Sequence, residues 1–486
     1  MSKDILKLKP EAVWKSFYEL TQIPRPSKKE EQVRQYLKKF GEDLGLETIV
    51  DEIGNVIIKK TATEGMEDRK GIILQGHMDM VPQKNADSDH DFENHPIDAY
   101  IDGDWVTAKG TTLGADNGMG IAAGMAVLED KELAHGPVEV LITMDEETGM
   151  TGAENLKAGV LDGDILLNLD SEDEGELYIG CAGGIDTFGV FKYTSEDVPE
   201  GMIPYKISVK GLKGGHSGLD INLGRGNANK IMNILLLKAG EKYGVRLAQI
   251  DGGSLRNAIP RESFATVVVP EDNQENFEQF VAEFEAIVQD EFKKADPGVV
   301  VICEPTKKPK KLIDEVIQGN LYTAVTNCPN GVIKMSESVK GITETSSNLA
   351  IIKSGKGKIE LASLQRSLID VDKDNLGAEI RKVFEAAGAK AKSSGSYPGW
   401  KPNPDSPILK EMKEVYNNKF GKVPEVKVIH AGLECGILGA TYPHWDMISF
   451  GPTIRNPHSP DEMVNIESVQ LFWDFLVETL KHVPKK

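Results

Sequence analysis

Five short stretches of this 486-residue chain bring histidines and carboxylates into patterns that can do chemistry together. In HMDMV, His77 and Asp79 are two apart, so strand alternation puts both on one side. A metal-binding histidine needs its other ring nitrogen held by an acceptor, and Asp79 is placed to hold it. In GADNGMG, Asp116 stands in a glycine-rich turn before a helix, where it is either an N-cap or a carboxylate shared by two metal ions. The glycines do not run on into GxxxxGK followed by Ser or Thr, so a phosphate cradle is excluded. MDEETG offers Glu146 and Glu147, whose side chains diverge because they are adjacent. One can ligate while the other faces a bound water, the division that metal-assisted hydrolysis requires. NLDSED supplies Asp170 at a strand end, and NPHSPDE supplies His458 in a proline-rich loop. Each stretch alone is ordinary. Together, two histidines and three carboxylates suit a pair of Zn²⁺ ions, and Mn²⁺ or Co²⁺ can replace zinc on the same donors. Two divalent ions outweigh three carboxylates by one charge, and that excess lowers the pKa of a bound water.

These residues need elements to position them. Val13, Phe17 and Leu20 repeat at helical spacing behind Pro10, and a second helical pattern runs from Glu30 to Leu44 before Gly45. The runs GNVIIKK (54–60), GIILQGH (71–77), VEVLITM (138–144) and DILLNLD (164–170) have strand length, and NGMGIAAGMAVLED (117–130) reads as a helix between two of them. Strands alternating with helices indicate an α/β domain with a mostly parallel central sheet and flanking helices. Such sheets bind ligands beyond the carboxyl ends of their strands, where His77, Glu146 and Asp170 fall.

The texture changes at about residue 186. Two amphipathic helical patterns, 227–243 and 276–294, lie among single strand-like runs, and a helix, three strands, a helix and a strand follow to about 396. That order indicates two successive βαββαβ units, a ferredoxin-like α+β layout. SSGSYPGWKPNPDSP (393–407) reads as a linker, after which a helix at 407–419, the run DMISFGP and a final helix restore the α/β texture. The expected plan is a catalytic α/β domain in two segments, 1–185 and 398–486, interrupted by an inserted domain, 186–397. The candidate donors require the same plan, since four fall within 77–170 and the fifth is His458.

The ordered series HMD, GADNG, DEETG, NLDSED, NPHSPDE resembles the dizinc aminoacylase/carboxypeptidase family of co-catalytic metallopeptidases. The resemblance spans essentially the whole chain, including NAIP, TETSSNLA and HAGLECG. It implies a zinc-peptidase-like fold with the inserted domain as a lid and two Zn²⁺ per chain. Asp116 would bridge the ions, His77 and Asp170 would hold one, and Glu147 and His458 the other. Asp79 would orient His77, and Glu146 would be the general base. It also implies substrate contacts from His216 in GGHSG, Asn257 in RNAIP and Arg366 in LQRS. A free α-carboxylate is well gripped by a bidentate arginine. The implied reaction is hydrolysis of dipeptides with a free amino terminus, of Xaa-His type and more broadly. Two alternatives stand beside it: an N-acyl amino acid deacylase with the same metals, and a metal-binding homologue without catalysis.

The rest of the sequence narrows the setting. A net charge of −20 repels a phosphate backbone, so nucleic acid is not an expected partner. The four cysteines form no CxxC pair and read as reduced. The amino terminus carries no signal pattern, and no run of 18 apolar residues spans a membrane, so a cytoplasmic enzyme acting on a small peptide is expected. A homodimer through the inserted domain is left open. His90 and His95 read as parts of an acidic surface loop, and His135, His430, His444 and His482 as structural. Glu434 and Cys435, in GLECG, are not ranked with the donors.

Overall fold

The computed structural model describes residues 3–337 and 339–486, which form two compact units. One runs up to Gly180 and resumes at Pro402–Val428 and Leu433–Lys486; the other comprises Cys181–Lys401 and Ile429–Gly432.

The first unit is built on an eight-stranded sheet. Its order is Glu47–Val50, Val56–Lys60, Val138–Thr143, Ile72–His77, Ile165–Asn168, Asp446–Ser449, Glu176–Cys181, Glu425–Ile429. The four strands from Val138–Thr143 to Asp446–Ser449 are parallel, while Val56–Lys60 and Glu176–Cys181 flank them antiparallel. Every residue of Ile72–His77 and Val138–Thr143 is buried, as expected of strands covered on both faces, and this is why they read as mainly apolar runs rather than alternating ones. Helix Ala115–Glu129 is buried on nearly all sides. Its glycines allow close approach: a Cβ on Gly124 would meet Val140 Cγ1 at 3.0 Å. Helices Glu11–Thr21 and Glu31–Asp43 lie where the periodicity places them, the second closing at Gly45 with φ +70°.

A smaller sheet brings the carboxyl-terminal segment to its place. Ile454–Arg455 pairs with Met463–Asn465, which pairs with Trp105–Ala108, itself paired with Ala99–Asp102. The loop between the first two of these strands carries His458. This unit is α/β with a parallel centre. Among the described residues no helix is long and apolar enough to cross a membrane.

The second unit is α+β on a nine-stranded antiparallel sheet. Met202–Lys210, helix Ala228–Tyr243, Arg246–Gly252, Ser263–Pro270, helix Gln274–Phe292 and Val300–Pro305 form one βαββαβ motif. Gly183–Lys192, helix Glu315–Asn327, Thr343–Gly355, Lys358–Ser367, helix Asp370–Ala386 and Lys390–Tyr397 form another. The sequence order suggests two motifs in succession. The structure instead nests the first inside the second, between Gly183–Lys192 and Glu315–Asn327. The strand that sequence order would place next, Gly331–Met335, lies off the main path with its side chains largely exposed. Gly183–Lys192, with Phe191 in the core, takes the slot between Lys358–Ser367 and Lys390–Tyr397. A short pair, Ser195–Glu196 with Leu312–Ile313, closes the neck of the nested motif.

The expected linker is partly sheet. Ser393 pairs with Thr187, Ser394 with Asp186 and Tyr397 with Gly184. Edge pairing uses backbone groups, so small polar side chains do not prevent it. Only the proline-rich remainder is irregular, ending at Ser406, whose hydroxyl caps helix Pro407–Phe420.

Candidate active site

Three strand ends and two loops of the first unit meet around Asp116. His77 closes strand Ile72–His77, and its Nε2 lies 3.0 Å from Asp116 Oδ1 and 3.4 Å from Asp170 Oδ1. Asp170 follows the neighbouring parallel strand, Ile165–Asn168. Asp116 sits where helix Ala115–Glu129 opens with a kink, after Gly114 at φ +74°. Glu146 and Glu147 follow strand Val138–Thr143 through Asp145, a left-handed residue at φ +52° whose carboxylate accepts from the Thr148 and Thr151 hydroxyls. His458, also left-handed at φ +58°, places its Nε2 3.2 Å from Asp116 Oδ2 and 3.0 Å from Glu147 Oε2. The expected donors form two triads, His77/Asp116/Asp170 and Asp116/Glu147/His458, and Glu146 groups with His77 and Glu147, each set with its donor atoms within 4.8 Å of one another. Asp116 belongs to both, one oxygen facing each histidine.

Asp79 is fully buried and serves several groups. Its Oδ1 lies 3.3 Å from His77 Nδ1 and accepts the Glu146 N–H at 3.0 Å. Its Oδ2 accepts from Ser27 Oγ at 2.8 Å and from the Glu147 N–H at 3.3 Å. One carboxylate thus fixes both the His77 ring and the backbone of the Glu146–Glu147 pair.

Other supports have no motif of their own in the sequence. Arg25, buried, donates to the carbonyls of Met78 (3.1 Å), Asp79 (3.0 Å) and Gly114. Glu462, four residues past His458, accepts the N–H groups of Leu113 (2.8 Å), Gly114 (2.9 Å) and Asp116 (3.1 Å). Gly114 is therefore held by its carbonyl from Arg25 and by its N–H from Glu462. Asn117 Nδ2 donates to Leu169 O at 2.7 Å, tying the Asp116 loop to the residue before Asp170. A Cβ on Gly76 would collide with Asn117, and one on Gly120 with Leu169 O.

Beneath the donors a polar array crosses the carboxyl ends of the parallel strands. Thr143 Oγ1 (2.7 Å) and Gln75 Nε2 (2.6 Å) donate to Glu434 Oε2. Asn168 Nδ2 donates to Gln75 Oε1 at 2.6 Å, Ser449 Oγ to Asn168 Oδ1 at 2.5 Å, and Ser171 and Ser449 hydroxyls pair at 2.6 Å. Sequence reading passed over Arg25, Glu462 and, apart from Glu434, this array. The array did leave a signal: Gln75 and Asn168 interrupt runs otherwise apolar, and a buried polar side chain requires partners.

The charges are crowded. Burial, then the charges of Asp170, Glu434 and Glu147, raise the Glu146 carboxyl well above the ordinary carboxylate range. Burial and the neighbouring acids push Asp170 up to about 6 and Glu434 up to about 8. Hydrogen bonds to Asp116 and Glu147 push the His458 imidazole up to about 11. Glu147 Oε1 is buried without a hydrogen-bond partner. Acids that repel one another, one with an orphaned oxygen, beside two histidines fit divalent cations, whose charge relieves the repulsion. A separate trio, Glu30, Asp79 and Asp145, also groups its oxygens, but Ser27, the Lys28 N–H, Thr148 and Thr151 already serve them. His90 and His95 join no donor group and sit near Phe92 in their loop.

The three residues expected to touch substrate lie in the second unit. His216, in the short strand Gly215–His216, pairs with Ala258, and the Ser217 N–H donates to Asn257 O at 2.8 Å, so Asn257 runs alongside. Arg366 is buried; its Nη1 donates to Tyr397 OH at 2.8 Å, and its Nη2 lies 3.4 Å from His216 Nε2. His216 Nδ1 accepts the N–H groups of Gly218 (3.2 Å) and Leu219 (3.0 Å), which places the proton of the neutral ring on Nε2. Burial and Arg366 hold that ring neutral, its pKa lowered to about 4. Two N–H donors thus converge, an arrangement suited to an anionic oxygen.

One carboxylate shared between two donor triads, with strand-end acids and a further glutamate beside it, is the equipment of a metal-assisted hydrolase. The model of peptidase family M20/M25/M40 matches residues 73–482, and the chain belongs to that metal-dependent family of peptide-hydrolysing enzymes. It is 44% identical over 483 residues to the cytosol non-specific dipeptidase of Escherichia coli, covering 99% of this chain and 100% of the relative. The crystal structure of aminoacylhistidine dipeptidase from Vibrio alginolyticus superposes with a TM-score of 0.93 at 49% identity, covering 99% of this chain and 98% of that one. An aminopeptidase of Bacillus cereus shares the fold at 18% identity, with a TM-score of 0.62 and coverage of 98% and 99%.

Proposed function

We propose that this protein is a cytoplasmic dipeptidase that uses two Zn²⁺ ions to hydrolyse dipeptides with a free amino terminus, Xaa-His substrates among them. His77 and Asp170 would hold one ion, Glu147 and His458 the other, with Asp116 contributing to both sets. The observation that carries the reading is Asp116, shared between two donor triads with Glu146 beside them. The dipeptidase names of the two full-length relatives support the substrate class.

Bound divalent ions would polarise the scissile carbonyl and acidify a water. Glu146 would take a proton from water as the water oxygen bonds to the carbonyl carbon, and return it to the amine nitrogen as the C–N bond breaks, a task suited to a carboxyl whose pKa burial has raised. Asp79 keeps the His77 ring and the Glu146 backbone in register. His216 and Arg366 offer N–H donors to substrate oxygens, with Asn257 alongside, and the inserted unit acts as a lid. A homodimer through that unit is part of the proposal, supported by the exposed Val332, Ile333 and Met335 and checked by analytical ultracentrifugation.

Replacing Glu146 with Ala should lower turnover of Ala-His about 10²- to 10⁴-fold while leaving metal content at the wild-type level. Retained turnover would remove Glu146 as the base.

A further inference from the structure

The acidic run after Asp170 contains Glu172, Asp173, Glu174 and Glu176. Three of these carboxylates have donors. Asp173 pairs with Arg455 at 2.7 Å. Glu174 accepts from Tyr416 OH and lies 3.7 Å from Lys422. Glu176 accepts from Tyr178 OH at 2.7 Å and pairs with Lys427 at 3.2 Å. The Glu172 carboxylate has neither hydrogen bond nor ion pair among the described residues, although it is partly withdrawn from solvent.

Its position is nevertheless fixed. The Glu172 carbonyl accepts the Ile454 N–H at 3.1 Å and Arg455 Nη1 at 3.0 Å. These bonds hold the residue between the strand end that carries Asp170 and the loop that carries His458. Glu172 is two residues beyond Asp170, on the segment bonded to the strand that leads into the His458 loop, yet it joins none of the metal-donor groups. It is an unengaged carboxylate beside the centre, with no cation of its own.

A free dipeptide brings one positive group, its α-ammonium, two bonds from the scissile carbonyl carbon. The acceptor of that ammonium must therefore flank the ligands that hold the carbonyl. On the proposed mechanism Glu146 is committed to the water, and Glu434 is wholly buried in the polar array, its Oε2 taken by Thr143 and Gln75 and its Oε1 without a partner but closed off from solvent. We infer that Glu172 receives the α-ammonium of the substrate and so selects free dipeptides over N-acylated amino acids. This assignment rests on the dipeptidase reading above.

The test compares Ala-His with propionyl-His, its isostere lacking the amine, on zinc-loaded wild-type and Glu172→Gln protein. Propionyl-His is followed as a substrate or, where uncleaved, as a competitive inhibitor. The wild type should favour Ala-His, and Glu172→Gln should cut that preference about 10- to 100-fold, the worth of a charge-assisted hydrogen bond. Glu172→Asp should restore part of it. Metal content measured on the same samples should equal that of the wild type. An unchanged preference in Glu172→Gln would overturn the assignment. So would loss of a metal ion, which would make Glu172 a ligand. A wild type that cleaves both compounds alike removes the ammonium subsite alone, whereas one that cleaves no dipeptide removes the dipeptidase reading itself.

Discussion

The first unit buries its chemistry at the ends of parallel strands, whereas the second carries His216 and Asn257 on a two-stranded ribbon beside an apolar core. His77 and Asp79 are almost without solvent contact, and a second layer of hydrogen bonds surrounds them: Arg25, Glu462, Asn117, Ser27 and the array from Thr143 to Ser171. In the second unit Arg366 is buried, but His216 and Asn257 hang from the pairing of Gly215–His216 with Ala258–Ile259. Burying many like charges demands a second layer of hydrogen bonds, because an unpaired buried polar group is costly. A binding group that meets its partner only with substrate needs less support.

The contrast can be broken most directly at Asp116. Asp116→Asn should cost both turnover and metal, since one residue serves both triads, with metal analysis as the readout. Retention of the wild-type metal content would show that the two triads do not depend on a shared carboxylate. Glu462→Gln probes the second layer. It should weaken metal affinity roughly 10- to 100-fold in competition with a chelating dye, because an amide cannot accept all three backbone N–H groups that place Asp116. Equal affinity would mean that the loop holds itself.

A different kind of effect, on stability rather than on metal, is expected in the second unit. His430 is buried with Nε2 2.8 Å from Ser346 Oγ, and burial, then Arg366 and His216, depress its pKa from 6.5 to about 3. Its folded-state pKa lies below the unfolded one, so the unfolded chain takes up a proton that the fold refuses. The stability concerned is fully present above pH 6.5 and is lost as pH falls towards 3. The slope is at most about 1.4 kcal/mol per pH unit. His430→Phe should flatten the acid limb of a denaturation series by up to that amount, and identical slopes would place the acid sensitivity elsewhere.

The same contrast governs what could be read from the chain. In the first unit, GIILQGH and VEVLITM announce buried strands, and His77, Glu146 and Asp170 follow such runs where a parallel sheet presents its ligands. Arg25 was silent because its partners are backbone carbonyls, which leave no trace in residue type. Glu462 stood in a motif already noticed, but its partners are N–H groups some 350 residues away. In the second unit the helices at 228–243 and 274–292 were legible from periodicity. The nesting was not, because nothing local to Gly183–Lys192 says that its sheet neighbours begin at Lys358 and Lys390.

The late arrival of His458 has a consequence for synthesis. On the proposed ligand set, four donors exist once residue 170 has been made, and the fifth follows 288 residues later. At roughly 5–20 residues per second, that interval lasts about 15–60 s. A nascent chain in this window offers only Asp116 and Glu147 to the second ion. A chain stopped before residue 458 would be inert however well its beginning had folded. On that ligand set, hydrolytic capacity begins only once residue 458 has been made and has reached the donors that precede it.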